Sequence, residues 1–459
     1  MPNRALAVFL NSKARIENVK KLKWWGLVAL TAAAGLGLAG CGSSDDSSGS
    51  ASLRLANATL THPSLDLLVN STVAVSATTS DTVSAYVAPA SGSNTLQLND
   101  ASAGTSLTTI VPTLTAGSHY TMLAYESGGV VKTLVLTEDV ATPTSGVATL
   151  RIYDAAVDAG AVDVYITTGA CTSANLSSLS PTTSFASATA PQAVSLTQGA
   201  GTYNVCVTGS GSKTDLRMSL PITVVSQQVM TVLMTPASGG VLMNGSTLIQ
   251  QGAYSAVRNT NTRVRLAAAV SGSASVSASA SDGTVIDAGS VAPAFGFYAL
   301  VPASSTLNVS VAGQSVAVAA PATLPAGGDV TLLVYGNPGS ATASLLVDDN
   351  RLPSVATATK LRLINGVTGN VGALTLTANS SPVGIGVAPA AASSYVSLTS
   401  TATSTTAANT FSFALSSSTA GQLTLPTSSA TATVSSSATY SILAVGDVSA
   451  PSLLVRSPQ

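Results

Sequence analysis

The sequence predicts an all-β protein of tandem antiparallel β-sandwich domains, four in number. Three observations carry this expectation. A strand motif centred on arginine recurs at Leu53-Arg54-Leu55, Leu150-Arg151-Ile152, Val264-Arg265-Leu266 and Leu361-Arg362-Leu363, with the arginines 97, 114 and 97 residues apart. Apolar runs after the N-terminal segment alternate bulky residues with Thr, Ser or Ala, the period of a half-buried strand. Gly, Ser, Asn and Pro clusters separate these runs, and no amphipathic helix interrupts them. A spacing near 100 residues is too long for a solenoid and suits independent domains.

The N-terminal segment differs from the rest. Met1 to Lys23 holds six basic residues against Glu17 alone, and Trp24 to Gly40 is apolar and uncharged. A basic stretch, a short apolar run and small residues at its end are the parts of an export signal. Leu38-Ala39-Gly40-Cys41 resembles the lipobox of a bacterial lipoprotein signal peptide. The resemblance implies cleavage of residues 1–40 and acylation of Cys41, with more than one chain giving firm anchoring. The alternative is an uncleaved membrane anchor. Residues 41–51 read as a flexible tether, because Gly42 to Ser50 has no apolar residue to bury. In lipoproteins generally an Asp after the lipidated Cys retains the protein at the inner membrane. Gly42 stands there, which implies a cell-envelope location, at the outer membrane in a cell that has two.

The expected domains are residues 52–146, 147–258, 259–354 and 355–459. Each opens on its arginine strand, and each has a strong apolar run near its end. Those runs are His119 to Tyr125, Val229 to Met234, Val330 to Tyr335 and Tyr440 to Val445. Shorter runs follow the opening strand, as in Leu65-Asp66-Leu67 and Val162-Asp163-Val164. The repeated arginine is expected on a polar strand face in a fixed structural role, paired with a carboxylate such as Asp66 or Asp163. Ligand contact is the competing reading.

Composition narrows the function. Without the first 40 residues the basic count falls from 18 to 12 and the acidic count from 19 to 18, leaving a charge of about −6. No Lys/Arg cluster remains, so nucleic-acid binding lacks its electrostatic basis. Charged residues make up 8% of the chain, against roughly 25% in ordinary domains, so Ser, Thr, Asn and Gly must supply solubility. Both tryptophans, Trp24 and Trp25, lie in the signal. Cys171 and Cys206 remain once Cys41 is set aside. A disulfide between them is preferred over two free thiols or half a metal site, since an exported chain is disulfide-permissive.

Leu53-Arg54-Leu55-Ala56-Asn57-Ala58, Val162-Asp163-Val164-Tyr165 and Gly201-Thr202-Tyr203-Asn204-Val205, with the closing strand His119 to Tyr125, resemble the bacterial domain-of-unknown-function 4397 family. Copies one and two match best. Copy three lacks the Asn or Asp after its opening strand, and copy four carries a Ser/Thr-rich insert around Ser400 to Asn409. The resemblance implies immunoglobulin-like or transthyretin-like sandwiches on exported proteins and supplies no catalytic residues.

The chemistry-bearing motifs read as structural. Gly209-Ser210-Gly211-Ser212-Lys213-Thr214 approaches a P-loop and a Ser-x-x-Lys pattern, but it joins two strands where those sites need a helix, so a hairpin turn is expected. His62 and His119 are expected at a loop and a strand edge. Asp348-Asp349-Asn350 offers calcium-type oxygens without EF-hand spacing and reads as a linker ending at Pro353. No catalytic, metal or cofactor residues are assigned. The expected function is a non-catalytic, lipid-anchored spacer array, its partner the membrane through Cys41. The alternative is an adhesin or glycan-binding module gaining avidity from linked domains, with an envelope protein or glycan as partner. A hydrolase is disfavoured.

Overall fold

The computed structural model describes residues 49–399 and 408–458. The signal segment, Cys41 and most of the tether lie outside the described residues, as does most of the Ser/Thr-rich insert. The regular structure of the described residues is strand, apart from a single turn of α-helix at Ser173–Leu176 and two 3₁₀ turns. Among the described residues no helix is long and apolar enough to cross a membrane.

The strands form four two-sheet sandwiches. In the first, Val130–Thr137, His119–Ser127, Ser52–Asn57 and Thr82–Val83 make one sheet. Thr72–Thr79, Ser64–Val69, Leu96–Asp100 and Ser106–Ile110 make the other. Leu53, Leu55, Leu65, Leu67, Leu98 and Met122 meet between them in one core. The other three sandwiches repeat the plan, each with its own core drawn from both sheets. Gly49 to Ala51 already bond to this framework, through Pro89, Ser91 and Gly117.

Each sandwich contains one parallel pairing, a detail the antiparallel expectation did not include. The opening strand lies beside the closing strand and runs in the same direction, because the remainder of the domain forms the long crossover that a parallel pair requires. The register is the same in every copy. Arg54 lies opposite Thr121, Arg151 opposite Thr231, Arg265 opposite Thr331 and Arg362 opposite Ser441.

These strands are not half-buried, as alternation suggested. Ala358–Asn365 and Val229–Pro236 are buried along their whole length. The reason is a second layer of packing. Ala56, Leu123 and Leu136 of sandwich one pack against Ala155, Leu233 and Leu248 of sandwich two. Ala267, Ala269 and Leu333 of sandwich three pack against Ile364, Leu443 and Val445 of sandwich four. Sheets covered on both faces need apolar residues at every position. The far sheets have one free face and alternate, as in Leu96–Asp100 and Leu374–Ala378.

Cys171 and Cys206 are joined, with Cα atoms 5.4 Å apart. The bridge ties the loop bearing Ser173–Leu176 to strand Gly201–Gly209, and Cys206 sits with Tyr165 and Leu176 in a small apolar cluster.

Candidate functional site: arginine centres between paired sandwiches

The repeated arginine projects from the opening strand away from its own core, so face-to-face pairing of two sandwiches buries it. A buried guanidinium must be paired and hydrogen-bonded to remain charged. The neighbouring closing strand supplies a hydroxyl directly opposite, and the geometry grows from that pair.

Between sandwiches three and four the contacts are reciprocal. Arg265 donates from Nε to Thr331 Oγ1 of its own sandwich (2.9 Å) and from Nη2 to Ser441 Oγ of the other (2.8 Å). Arg362 donates from Nε to its own Ser441 Oγ (3.1 Å) and from Nη2 across to Thr331 Oγ1 (3.3 Å). Asp348 is shared by both. Arg362 Nη2 donates to its Oδ1, and Arg265 Nη2 lies 3.5 Å from its Oδ2. Thr331 and Tyr298 hydroxyls also donate to Asp348. Aromatic rings close the centre, with Tyr298 at 4.6 Å from Arg265 and Tyr395 at 4.8 Å from Arg362. Arg265, Arg362 and Asp348 are each no more than 2% exposed. Burial pushes the Tyr298 hydroxyl well above its ordinary range and Tyr395 up to about 12, so both stay neutral donors. Burial alone would lower Arg362, but Asp348 beside it holds the guanidinium above its usual value.

Sandwiches one and two repeat the frame. Arg54 donates to Thr121 Oγ1 (2.8 Å), forks onto Glu138 with Nη2–Oε2 at 2.8 Å, and crosses to the Gly252 carbonyl (2.6 Å). Tyr86 donates to Glu138 (2.7 Å) and its ring centroid lies 4.8 Å from the guanidinium. Arg151 crosses the other way, donating from Nη1 to the Thr137 carbonyl at 2.7 Å. Arg362 does the same to the Val347 carbonyl at 3.0 Å. In both pairs the second arginine therefore reaches the residue just before the acid of the centre. The acid comes from the first member of each pair only, and Gln250 holds the corresponding place in sandwich two, its N–H bonded to the Val229 carbonyl as that of Glu138 is to His119. Such a centre fastens and orients two sheets.

The sequence located the arginines but misassigned their partners. Asp66 and Asp163 lie on the opposite sheet of their sandwiches, out of reach. Asp66 accepts from Ala77 N and Asp163 from Ser184 Oγ and Gly211 N. Asp348 is not a linker residue. It ends strand Thr342–Asp348 and enters the arginine centre, while Asp349 pairs with Arg351 and Lys360 and Asn350 donates to Asp329. His62 Nδ1 meets Asp100 (2.8 Å) and His119 Nδ1 meets Asp139 (2.9 Å). Asp100 otherwise caps its turn through Ser102 and Ala103. Gly209–Thr214 is the hairpin turn between Gly201–Gly209 and Leu216–Val224, as expected.

Four functional residues escaped sequence reasoning: Glu138, Tyr86, Tyr298 and Tyr395. The tyrosines had a signal, since they follow their arginines by 32, 33 and 33 residues.

Comparison with known proteins adds a family for one part of the chain. Residues 51–165 match the model of a family described as a domain of unknown function (DUF4397). The match starts at the first opening strand and ends within strand Val162–Thr167 of sandwich two. No curated protein matches the chain. Among solved structures, the carbohydrate-binding module CBMbc (family CBM26) of Eubacterium rectale Amy13K, in complex with maltoheptaose, is 12% identical, with 44% of this chain and 97% of that one covered at a TM-score of 0.17. A candidate cell adhesion protein from Bacteroides uniformis is 14% identical over 44% and 99%, at 0.18. The Bacillus anthracis TIE protein is 8% identical over 87% and 68%, at 0.13. At such TM-scores none of the three bears on the arrangement or ligands of this chain.

Proposed function

We propose that this chain, which carries a domain of that family in its N-terminal part, is a non-catalytic structural array held on the cell envelope by a lipid at Cys41. One observation carries the structural reading. The side chains repeated through the copies are spent between sandwiches, where they lock domains into pairs. A repetitive binder would display its repeated residues on equivalent open surfaces, ready for linked engagement. Here the arginines and their hydroxyl partners are buried, and the tyrosines lie against the arginines. Face-to-face pairing stiffens a string of domains, which suits a part that spans distance.

The anchoring half rests on the lipobox resemblance and on a body with few charges. Its test is Cys41→Ser. The variant is expected to leave the membrane fraction and appear in the soluble envelope fraction. An unchanged membrane fraction would overturn lipid anchoring.

A further inference from the structure

Between sandwiches two and three lies a cavity of about 280 Å³. One wall is the hairpin turn of sandwich two, with Ser210, Ser212 and Thr214. The facing wall is Phe297 and Tyr298 of sandwich three, and Asp215 and Arg263 stand between them. We propose that this cavity is a binding site for one ring of a neutral, polyhydroxylated ligand, a sugar unit.

The polar groups select the class. Asp215 accepts from Arg217 Nε and Nη2 (3.0 and 2.9 Å) and from Arg263 Nη1 (2.9 Å). Arg263 is paired in turn with Asp329 at 3.0 and 2.7 Å. The two guanidinium groups and two carboxylates of this cluster cancel one another, and one further positive charge, Arg456, stands at the rim beside Phe297. Burial would raise the Asp215 carboxyl, but Arg217 and Arg263 hold it below the usual carboxylate range. It therefore stays ionised, and each carboxylate oxygen can take more than one donor. The Asp215 side chain is 20% exposed, whereas those of Arg217 and Arg263 are 1% and 3%. An acceptor thus faces the cavity, with Arg217 covered behind it and Arg263 showing little of itself there. A ligand needs hydroxyl donors to meet it, and the Ser and Thr hydroxyls exchange hydrogen bonds with others on the same ring. A purely apolar ligand would desolvate these groups without compensation.

Phe297 supplies the apolar face. It is 65% exposed, high for a phenylalanine. Arg456, held by the Phe295 carbonyl at 3.1 Å, packs 5.2 Å from its ring and keeps it in place. Pockets for drug-sized ligands run from about 300 to 1,000 Å³, so this one takes a single ring or a chain end. The turn and the loop bearing Phe297 and Tyr298 come from different sandwiches, so only their packing together builds the site. It does not depend on the anchor.

Calorimetric titration of the full chain in a non-glycosidic detergent tests this, with maltose, cellobiose and chitobiose as probes. At least one should give saturable heat, and Phe297→Ala should weaken it about tenfold without shifting thermal unfolding. No heat from any of the three up to about 10 mM, a range that captures millimolar affinity, would overturn the proposal. So would a Phe297→Ala protein that binds as tightly as the parent. The Cys41→Ser fractionation reads the anchoring proposal separately, so the two can fail independently.

Discussion

The two arginine centres use the same frame and divide their charge differently. Between sandwiches three and four, Asp348 lies between two guanidinium groups, and each arginine reaches both hydroxyls. Between sandwiches one and two, Glu138 gives both oxygens to Arg54, and Arg151 makes do with the Thr137 carbonyl and the Tyr153 hydroxyl. The two acids differ by one methylene. The longer glutamate swings round to a forked contact with the arginine of its own sandwich, while the short aspartate stays on the axis between the two. A repeated frame thus leaves open how tightly its members are coupled.

The sharpest way to break this comparison is to neutralise each acid. Asp348→Asn leaves two buried arginines without a counter-charge, and removing one partner of a buried ion pair costs about 3–5 kcal/mol. Glu138→Gln leaves one, which still donates to Thr121 and to the Gly252 and Ile249 carbonyls. The Arg54–Glu138 pair is buried too, but only one arginine loses its counter-charge, so the expected loss lies at the low end of that range, about 3 kcal/mol. Hydrogen exchange of strands Asn261–Val270 and Ala358–Asn365 should therefore quicken more in the first variant than Ser52–Asn57 and Val147–Asp154 do in the second. Equal effects would mean that the acids are not shared differently.

The second arginines sharpen the same point at a smaller scale. Arg362→Met removes an ion pair with Asp348, but Arg151→Met removes only a bond to a carbonyl and one to a hydroxyl. The former is expected to cost about 3 kcal/mol and the latter about 1 kcal/mol, by the same exchange measurement. A costlier Arg151→Met would place an unseen share of the Glu138 charge on Arg151.

Much of this architecture was legible in the sequence, and the gaps have physical causes. Arg54, Arg151, Arg265 and Arg362 marked the copies because a strand motif repeats in residue type as well as in spacing. Period-two alternation identified strands such as Leu96–Asp100, which have one dry and one wet face. It misjudged the opening and closing strands because it describes one sandwich, whereas their second face is dried by a neighbouring one. The cysteine pair emerged by elimination. Glu138 was out of reach because its partner lies 84 residues away and the two meet only once first and last strands align in parallel. Asp66 and Asp163 were chosen for nearness in sequence, a poor guide in a fold whose ends pair with each other. The Gly209–Thr214 turn was read correctly as a turn, but its facing wall comes from another domain and left no local trace.

A last contrast lies at the end of the opening strands. Asn57 and Asn365 each accept a backbone N–H through Oδ1, from Thr59 and Val367, and donate through Nδ2 to the Thr78 and Val387 carbonyls. Sandwich two has Asp154 in that place, accepting from Ala156 N. An ionised carboxylate has no donor to offer where asparagine has its amide. Burial, with Asp158 nearby, pushes Asp154 up to about 6. A carboxyl with a folded pKa above its unfolded one binds more protons when folded between about pH 4 and 6. Stability therefore falls as pH rises through that window and stays lower above it. Asp154→Asn restores the donor and removes the titration. It should stabilise sandwich two by about 1–2 kcal/mol at pH 7.5, with the gain shrinking towards pH 4. Exchange of strand Val147–Asp154 across that pH range checks the sign. A gain independent of pH would mean that Asp154 stays ionised in the fold, and that the asparagine helps only through its geometry.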